Sequence, residues 1–364
     1  MAYGLYVHIP YCHSRCLYCN FYTAAAAGVP EEYVDRLLQS FSLHAPKDEQ
    51  GAPRRPQTVY FGGGTPSLLA PAQVKRLLRG FHPLPGAEIT MEANPESATE
   101  EKLSGYRRAG VNRLSLGVQT IWDSSLARLG RAHTALQAQR AFRNARKAGF
   151  ANISGDIMLA LPGYSEQEFD DTLRFLQGEG AVHISAYLLK VEEGTPLAAA
   201  LPPDIPGAEQ AADFYLHAVE SLAKIGYAQY EISNFAKAGF ESRHNLLYWN
   251  CEDYLGIGPA AHSCLGGKRF SFAPNTEAFL QAGLPPRPEG VCSAEDYIML
   301  RLRLAKGLAE SELAARWGIV LSGRQKEFLH RLEKAGLATG AAGYWALTPE
   351  GMLVQNSVLA QLLA

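Results

Sequence analysis

Three cysteines within eight positions, Cys12-His-Ser-Arg-Cys16-Leu-Tyr-Cys19, constrain this chain more than any other feature. They follow directly on a short β-rich run, Tyr3 to Ile9. Thiolates so close together can converge on one soft metal centre. Zinc ribbons usually present two separated C-x₂-C pairs, and no second pair exists here. A cubane [4Fe–4S] cluster held by three cysteines fits the spacing and leaves one iron open. Three ordinary thiols are the alternative, disfavoured by such dense spacing in a six-cysteine chain. The N-terminus lacks the charged, apolar and small-residue regions of a signal peptide. No run of 18 or more apolar residues suggests a transmembrane helix. A cytoplasmic protein is expected, in which Cys251, Cys264 and Cys292 stay reduced.

Around this loop, residues 1–235 alternate strand-like and helix-like segments. Strands are predicted at Tyr3–Ile9, Thr58–Phe61, Glu88–Glu92, Arg113–Val118, Asn152–Leu161 and His183–Leu189. Helical periodicity separates them, as where Tyr33, Val34, Leu37, Leu38 and Phe41 share one face. Six strand–helix pairs imply an α/β fold with a parallel sheet and right-handed crossovers. Six is fewer than a closed barrel needs, so a partial, open (β/α)₆ barrel is expected. Chemistry in such folds collects at the C-terminal ends of the strands. Residues 236–290 have weak periodicity and read as a connector. Residues 291–364 turn helical again and finish in a β-like pair near Leu337 and Tyr344–Leu347, resembling a small winged-helix-like module.

Several polar residues fall at those strand ends. Gly62-Gly63-Gly64-Thr65-Pro66 follows the second strand, where glycines let backbone approach a ligand. A glycine run alone is as often a simple turn. Glu92 ends the third strand and suits ribose hydroxyls or an ammonium, or is merely a surface carboxylate. Gln119, Arg131 and Asp156 sit at or after the next strands. Asp156 interrupts an apolar strand and needs a partner, with Arg131 one candidate.

YVHIPYC, FGGGTPS, MEANPE, LSLGVQ and GDIMLALPG occur in this order over nearly the whole chain. Together they resemble the radical S-adenosylmethionine superfamily, in the branch of oxygen-independent coproporphyrinogen III dehydrogenase and the haem chaperones. The resemblance implies a [4Fe–4S] cluster on Cys12, Cys16 and Cys19, an external electron donor, and S-adenosylmethionine chelating the open iron. It places Tyr6 at the methionyl part of that cofactor and Tyr18 by the adenine, with Gly63, Gly64, Thr65, Glu92, Gln119, Arg131 and Asp156 completing the pocket.

Within that branch the dehydrogenase pattern runs to a fourth cysteine, where this chain has Phe21, and carries a longer segment before the loop. H-N-x-x-Y-W, here His244 to Trp249, resembles the motif of the haem-chaperone group. Neutral imidazole is a common axial ligand of haem iron. His244 is therefore the expected haem ligand, with Tyr248 and Trp249 nearby; His262 and Cys264 are weaker candidates. The resemblance implies haem as cargo and a haem-acceptor protein as partner; a dehydrogenase or other radical-dependent oxidoreductase acting on a tetrapyrrole is the alternative. The net charge is −2 with no long basic stretch. The third helix of the C-terminal module mixes Arg324, Lys326, Arg331 and Lys334 with Glu327 and Glu333. Neither feature points to nucleic acid, and the module reads as a lid or docking surface.

Overall fold

Along Gly4–Ile9 (β1), Leu5, Val7 and Ile9 alternate with Tyr6 and His8. A strand's period of two sends these sets to opposite faces of the sheet. The structure, a computed structural model that describes residues 2–364, repeats the device in Thr58–Gly63 (β2), Glu88–Ala93 (β3), Arg113–Gln119 (β4), Asn152–Leu159 (β5) and His183–Leu188 (β6). These strands run parallel in the order β1 to β6. Helices Glu31–His44, Pro71–Phe81, Glu100–Ala109, Ala135–Lys147 and Glu166–Gly178 make the crossovers. Their starts are chemically marked. Pro71 occupies the first turn, Thr99 and Ser165 accept backbone N–H groups, and Thr134 forms a capping box with Gln137.

The two faces differ in kind. Leu5, Val7, Ile9, Val59, Phe61, Met91, Leu114 and Leu116 are almost wholly buried in one continuous apolar core. Each is worth about 1.5–3 kcal/mol of burial. The opposite face carries Thr58, Glu88, Thr90, Arg113, Ser115, Ser154, His183 and Ser185, all buried. Tyr60, Glu92, Ser115, Asp156, Ser185 and Tyr187, from five different strands, line one cavity. The sheet therefore curls around a polar interior, unlike the branched apolar filling of a closed eight-stranded barrel.

Residues 236–290 are more ordered than a connector. Tyr254–Ile257 (β7) pairs in parallel with the free edge of β1. His262–Leu265, Lys268–Ser271 and Arg287–Val291 extend the sheet antiparallel beyond it. These strands are only four or five residues long, too short to display a period. At the other edge, Asn234–Ala236 and Ala228–Glu231 add antiparallel strands next to β6, so among the described residues the sheet has twelve strands. Helix Arg243–Trp249 lies below the strand starts. Its first backbone N–H groups, from Arg243 and His244, donate to the Glu88 carboxylate at 3.1 and 3.0 Å. A carboxylate there satisfies orphan donors and complements the helix dipole.

The C-terminal module has its own core, including Tyr297, Leu302, Leu313, Leu329, Trp345 and Leu359. Helices Ala294–Arg301, Glu310–Trp317 and Gly323–Lys334 stand with a three-stranded sheet of Leu308–Ala309, Tyr344–Leu347 and Ala338–Ala341. Two more helices, Pro349–Leu353 and Gln355–Leu362, close it. It grips the end of the floor helix. Arg301 bonds the Asn250 side chain, Arg316 donates to the carbonyls of Asn250 and Cys251, and Arg303 lies 4.6 Å over the Trp249 ring.

Candidate functional site

At the C-terminal ends of the strands a cavity of about 360 Å³ opens beside the cysteine loop. Cys12, Cys16 and Cys19 flank it, together with Tyr18, Gly63, Gly64, Thr65, Glu92, Gln119, Arg131 and Asp156. The loop is tied down at several points. Tyr11–Cys12 pairs with Ala24–Ala25, the Leu17 N–H donates to Leu129 O, and Arg15 Nε reaches Cys19 O. Thr65 Oγ1 donates to Cys12 Sγ at 3.3 Å, and Arg131 Nη1 to Cys16 Sγ at 3.4 Å. Burial raises the Cys12 and Cys19 thiols, while Thr65 favours the Cys12 thiolate and Arg131 stands near both. Donors aimed at sulfur suit thiolates that ligate metal.

The glycine run is needed here for space. A Cβ on Gly64 would stand 2.8 Å from Tyr11 O and 2.9 Å from Cys12 Sγ. Gly63 has φ +116° with the His8 ring against it. On β4, a bulge between Gly117 and Gln119 leaves Gln119 at φ +64°. A non-glycine residue in that region is strained, and such strain is found where side chains are aimed at ligands.

Two carboxylates enter the cavity. Glu92 accepts from Tyr60 Oη at 2.8 Å and from the Gly63 N–H at 3.3 Å. Enclosure in protein pushes its pKa up to about 7 despite those bonds. Asp156 accepts from Ser115 Oγ at 2.7 Å and Ser154 Oγ at 3.0 Å, and burial raises it too. Arg131 is not its partner. That guanidinium is used by Cys16, by Asn94 Oδ1 at 2.8 Å and by Gly117 O at 3.0 Å.

Two expected site residues stand apart. Tyr6 lies under Gly62, its hydroxyl 3.0 Å from His8 Nδ1, and it is not on the cavity wall. His244 is 1% exposed. Its Nδ1 bonds Thr58 Oγ1 and its Nε2 bonds Tyr248 Oη, both at 2.7 Å. Burial drops its pKa to about 3. With both nitrogens used and no opening to solvent, this imidazole does not offer the haem ligand expected of it in this conformation. His262 is largely exposed but is paired with Glu289 at 3.1 Å, and Cys264 is buried. Tyr60, Asn94, Arg113, Ser115, Ser185, Tyr187 and Asn245 also line the cavity. Several were legible as polar residues on the inward phase of apolar strands, Arg113 most plainly.

An open parallel barrel that gathers this loop, glycine cradle and pair of carboxylates around one cavity defines the radical S-adenosylmethionine class. Residues 6–176 match the Radical SAM superfamily model, and residues 293–354 the HemN C-terminal domain. The chain is 35% identical to the heme chaperone HemW of Bacillus subtilis (strain 168), over 98% of each chain. It is 35% identical to that of Escherichia coli (strain K12), over 99% of this chain and 98% of the relative. Coproporphyrinogen III oxidase (HemN) from Escherichia coli superposes with a TM-score of 0.83 at 23% identity, covering 99% of this chain and 90% of that one. The chain belongs to the HemW family of the radical SAM superfamily.

Proposed function

We propose that this chain is a haem chaperone that takes up haem and passes it to an acceptor protein, while carrying a [4Fe–4S] cluster and S-adenosylmethionine. The carrying observation is the full-length similarity to proteins named heme chaperone, joined to an intact cavity beside three cysteines. Cys12, Cys16 and Cys19 would hold the cluster. Gly63, Gly64, Thr65, Glu92, Gln119, Arg131 and Asp156 would bind S-adenosylmethionine, with Tyr18 beside its adenine; Tyr6 supports them from beneath Gly62. When bound and reduced, that pair supplies one-electron cleavage of a sulfonium, and an external donor must provide the electron. The chain's own residues orient the cofactor, neutralise its charge and exclude water.

Phe21 stands where a fourth cysteine marks the dehydrogenase pattern, and its ring is 62% exposed beside the cavity. That favours cargo handling over decarboxylation. The test is anaerobic reconstitution followed by separate incubation with haem and with coproporphyrinogen III. A defined Soret band, transferable to an apo haem protein, without loss of the propionate carboxyls, is the expected result. Turnover of coproporphyrinogen III with no stable haem uptake would replace this function with the dehydrogenase.

A further inference from the structure

Arg113 opens β4 at the bottom of the cavity, about 13 Å in strand rise below Gly117. Its residue is 1% exposed, and its Nε is buried with no hydrogen-bond partner. A buried guanidinium ordinarily takes an ion pair or several acceptors. Glu88 and, more weakly, Asp156 lie near enough to stabilise its charge, but neither bonds the guanidinium directly. Glu88 accepts the N–H groups of Arg243 and His244. Glu92 is held by Tyr60 and Gly63, and Asp156 by Ser115 and Ser154. Beside Arg113, Thr90 is its register partner on β3, and Thr90 Oγ1 is likewise buried without a partner. Arg113 lines the cavity, with the Thr90 hydroxyl behind it on the same face of the sheet, so an oxyanion entering the cavity would meet the planar cation.

We propose that Arg113 is a carboxylate-binding subsite at the cavity floor, which takes an alkyl carboxylate of a small-molecule guest. Two sources share that chemistry: a propionate arm of a tetrapyrrole, which the depth of the subsite favours, and the aminoacyl carboxylate of an S-adenosylmethionine that does not chelate the cluster. Only an arm of a macrocycle would reach the floor, since about 360 Å³ does not admit the ring beside a cofactor. The tetrapyrrole source rests on the function proposed above; the subsite does not.

The test uses the reconstituted full chain and its Arg113→Met and Arg113→Lys variants. Sodium propionate should raise the melting temperature of the wild type and not that of Arg113→Met, because a ligand stabilises only the fold that binds it. In a second arm, haem is compared with haem dimethyl ester by Soret titration; in a third, S-adenosylmethionine with its decarboxylated analogue by equilibrium dialysis. In one of these two arms the wild type should prefer the acid by about tenfold to a hundredfold, the worth of a charge-assisted bond. Arg113→Met should erase that preference, and Arg113→Lys should retain part of it because it keeps the charge. The arm that changes names the source. If the wild type takes up no haem, the function proposed above fails, and the propionate and cofactor arms still decide the subsite. Equal acid preference in all three proteins, or a melting temperature indifferent to propionate in the wild type, overturns the proposal. Should Arg113→Met fail to fold, Arg113→Lys with wild-type iron content carries the comparison, and an unchanged acid preference in it has the same consequence.

Discussion

Replacing His244 by Ala tests whether this imidazole is a brace for the barrel floor or a ligand in waiting. Two bonds of 2.7 Å are lost, leaving Thr58 Oγ1 and Tyr248 Oη unpaired inside the protein. Each orphaned group costs about 1–3 kcal/mol. The ring also stacks on Tyr60 at 5.1 Å and meets the Tyr248 ring edge-on at 5.1 Å. The site is tight: a Cβ on Gly4 would approach Leu247 Cδ1 to 2.5 Å and the His244 ring to 3.2 Å. With the lost packing, a total of about 3–5 kcal/mol follows. That is a large share of an ordinary domain's stability of about 5–15 kcal/mol. Urea unfolding of the metal-free chain should show the midpoint falling with the slope unchanged. His244→Gln, which can both donate and accept, should recover part of the loss. Haem taken up per folded molecule should match wild type in both variants. A His244→Ala protein as stable as wild type but without its Soret band would refute this reasoning and make the imidazole the haem ligand.

Three other outcomes are expected. Anaerobic reconstitution should give about four iron per chain, abolished by Ala at Cys12, Cys16 or Cys19 and retained with Cys251, Cys264 and Cys292 all changed to Ser; full iron in Cys16→Ala would remove that residue from the ligand set. Gly64→Ala should weaken both iron retention and S-adenosylmethionine binding, since its methyl collides with Cys12 Sγ and Tyr11 O; wild-type iron content and binding would show that the loop yields. Glu92, raised to about 7 by burial, must lose its proton to meet a cationic cofactor. S-adenosylmethionine affinity should therefore rise about tenfold per pH unit below pH 7 and level off above it, and calorimetry near pH 6.5 should register proton release; an affinity flat from pH 6 to 8, or a Glu92→Gln variant with the same profile, would exclude Glu92.

The barrel strands were legible because each pairs a run of Val, Leu, Ile or Phe on one face with isolated polar residues on the other. The cavity residues were legible where a motif sits at a strand end, as with Thr65, Glu92 and Gln119. Tyr6 and His244 stand off the cavity wall for a common reason. Their motifs mark positions near the site, whereas a side chain's direction depends on what packs against it. His244 faces Thr58 across 186 residues of sequence, a contact no local pattern encodes. β7 escaped because four residues beside a tight helix give no period to count. Charge alone offers Arg131 as one candidate partner for Asp156, whereas the hydroxyls of Ser154 on its own strand and of Ser115 and Ser185 on the two adjacent strands serve that carboxylate.

The placement of β1 has a consequence for how the molecule is made. Its first edge pairs with β2, but its second waits for β7, about 245 residues after Ile9. At about 5–20 residues per second, a ribosome needs roughly 10–50 s to supply that partner. Throughout that interval the cysteine loop has emerged, yet the strand carrying it keeps a bare edge of Leu5 and Val7. The floor helix, its Glu88 contact and β7 then arrive almost together. On the function proposed above, metal delivered before that moment would meet an unfinished barrel, and its loading would be timed by the last third of the chain and not by Cys12, Cys16 and Cys19 alone.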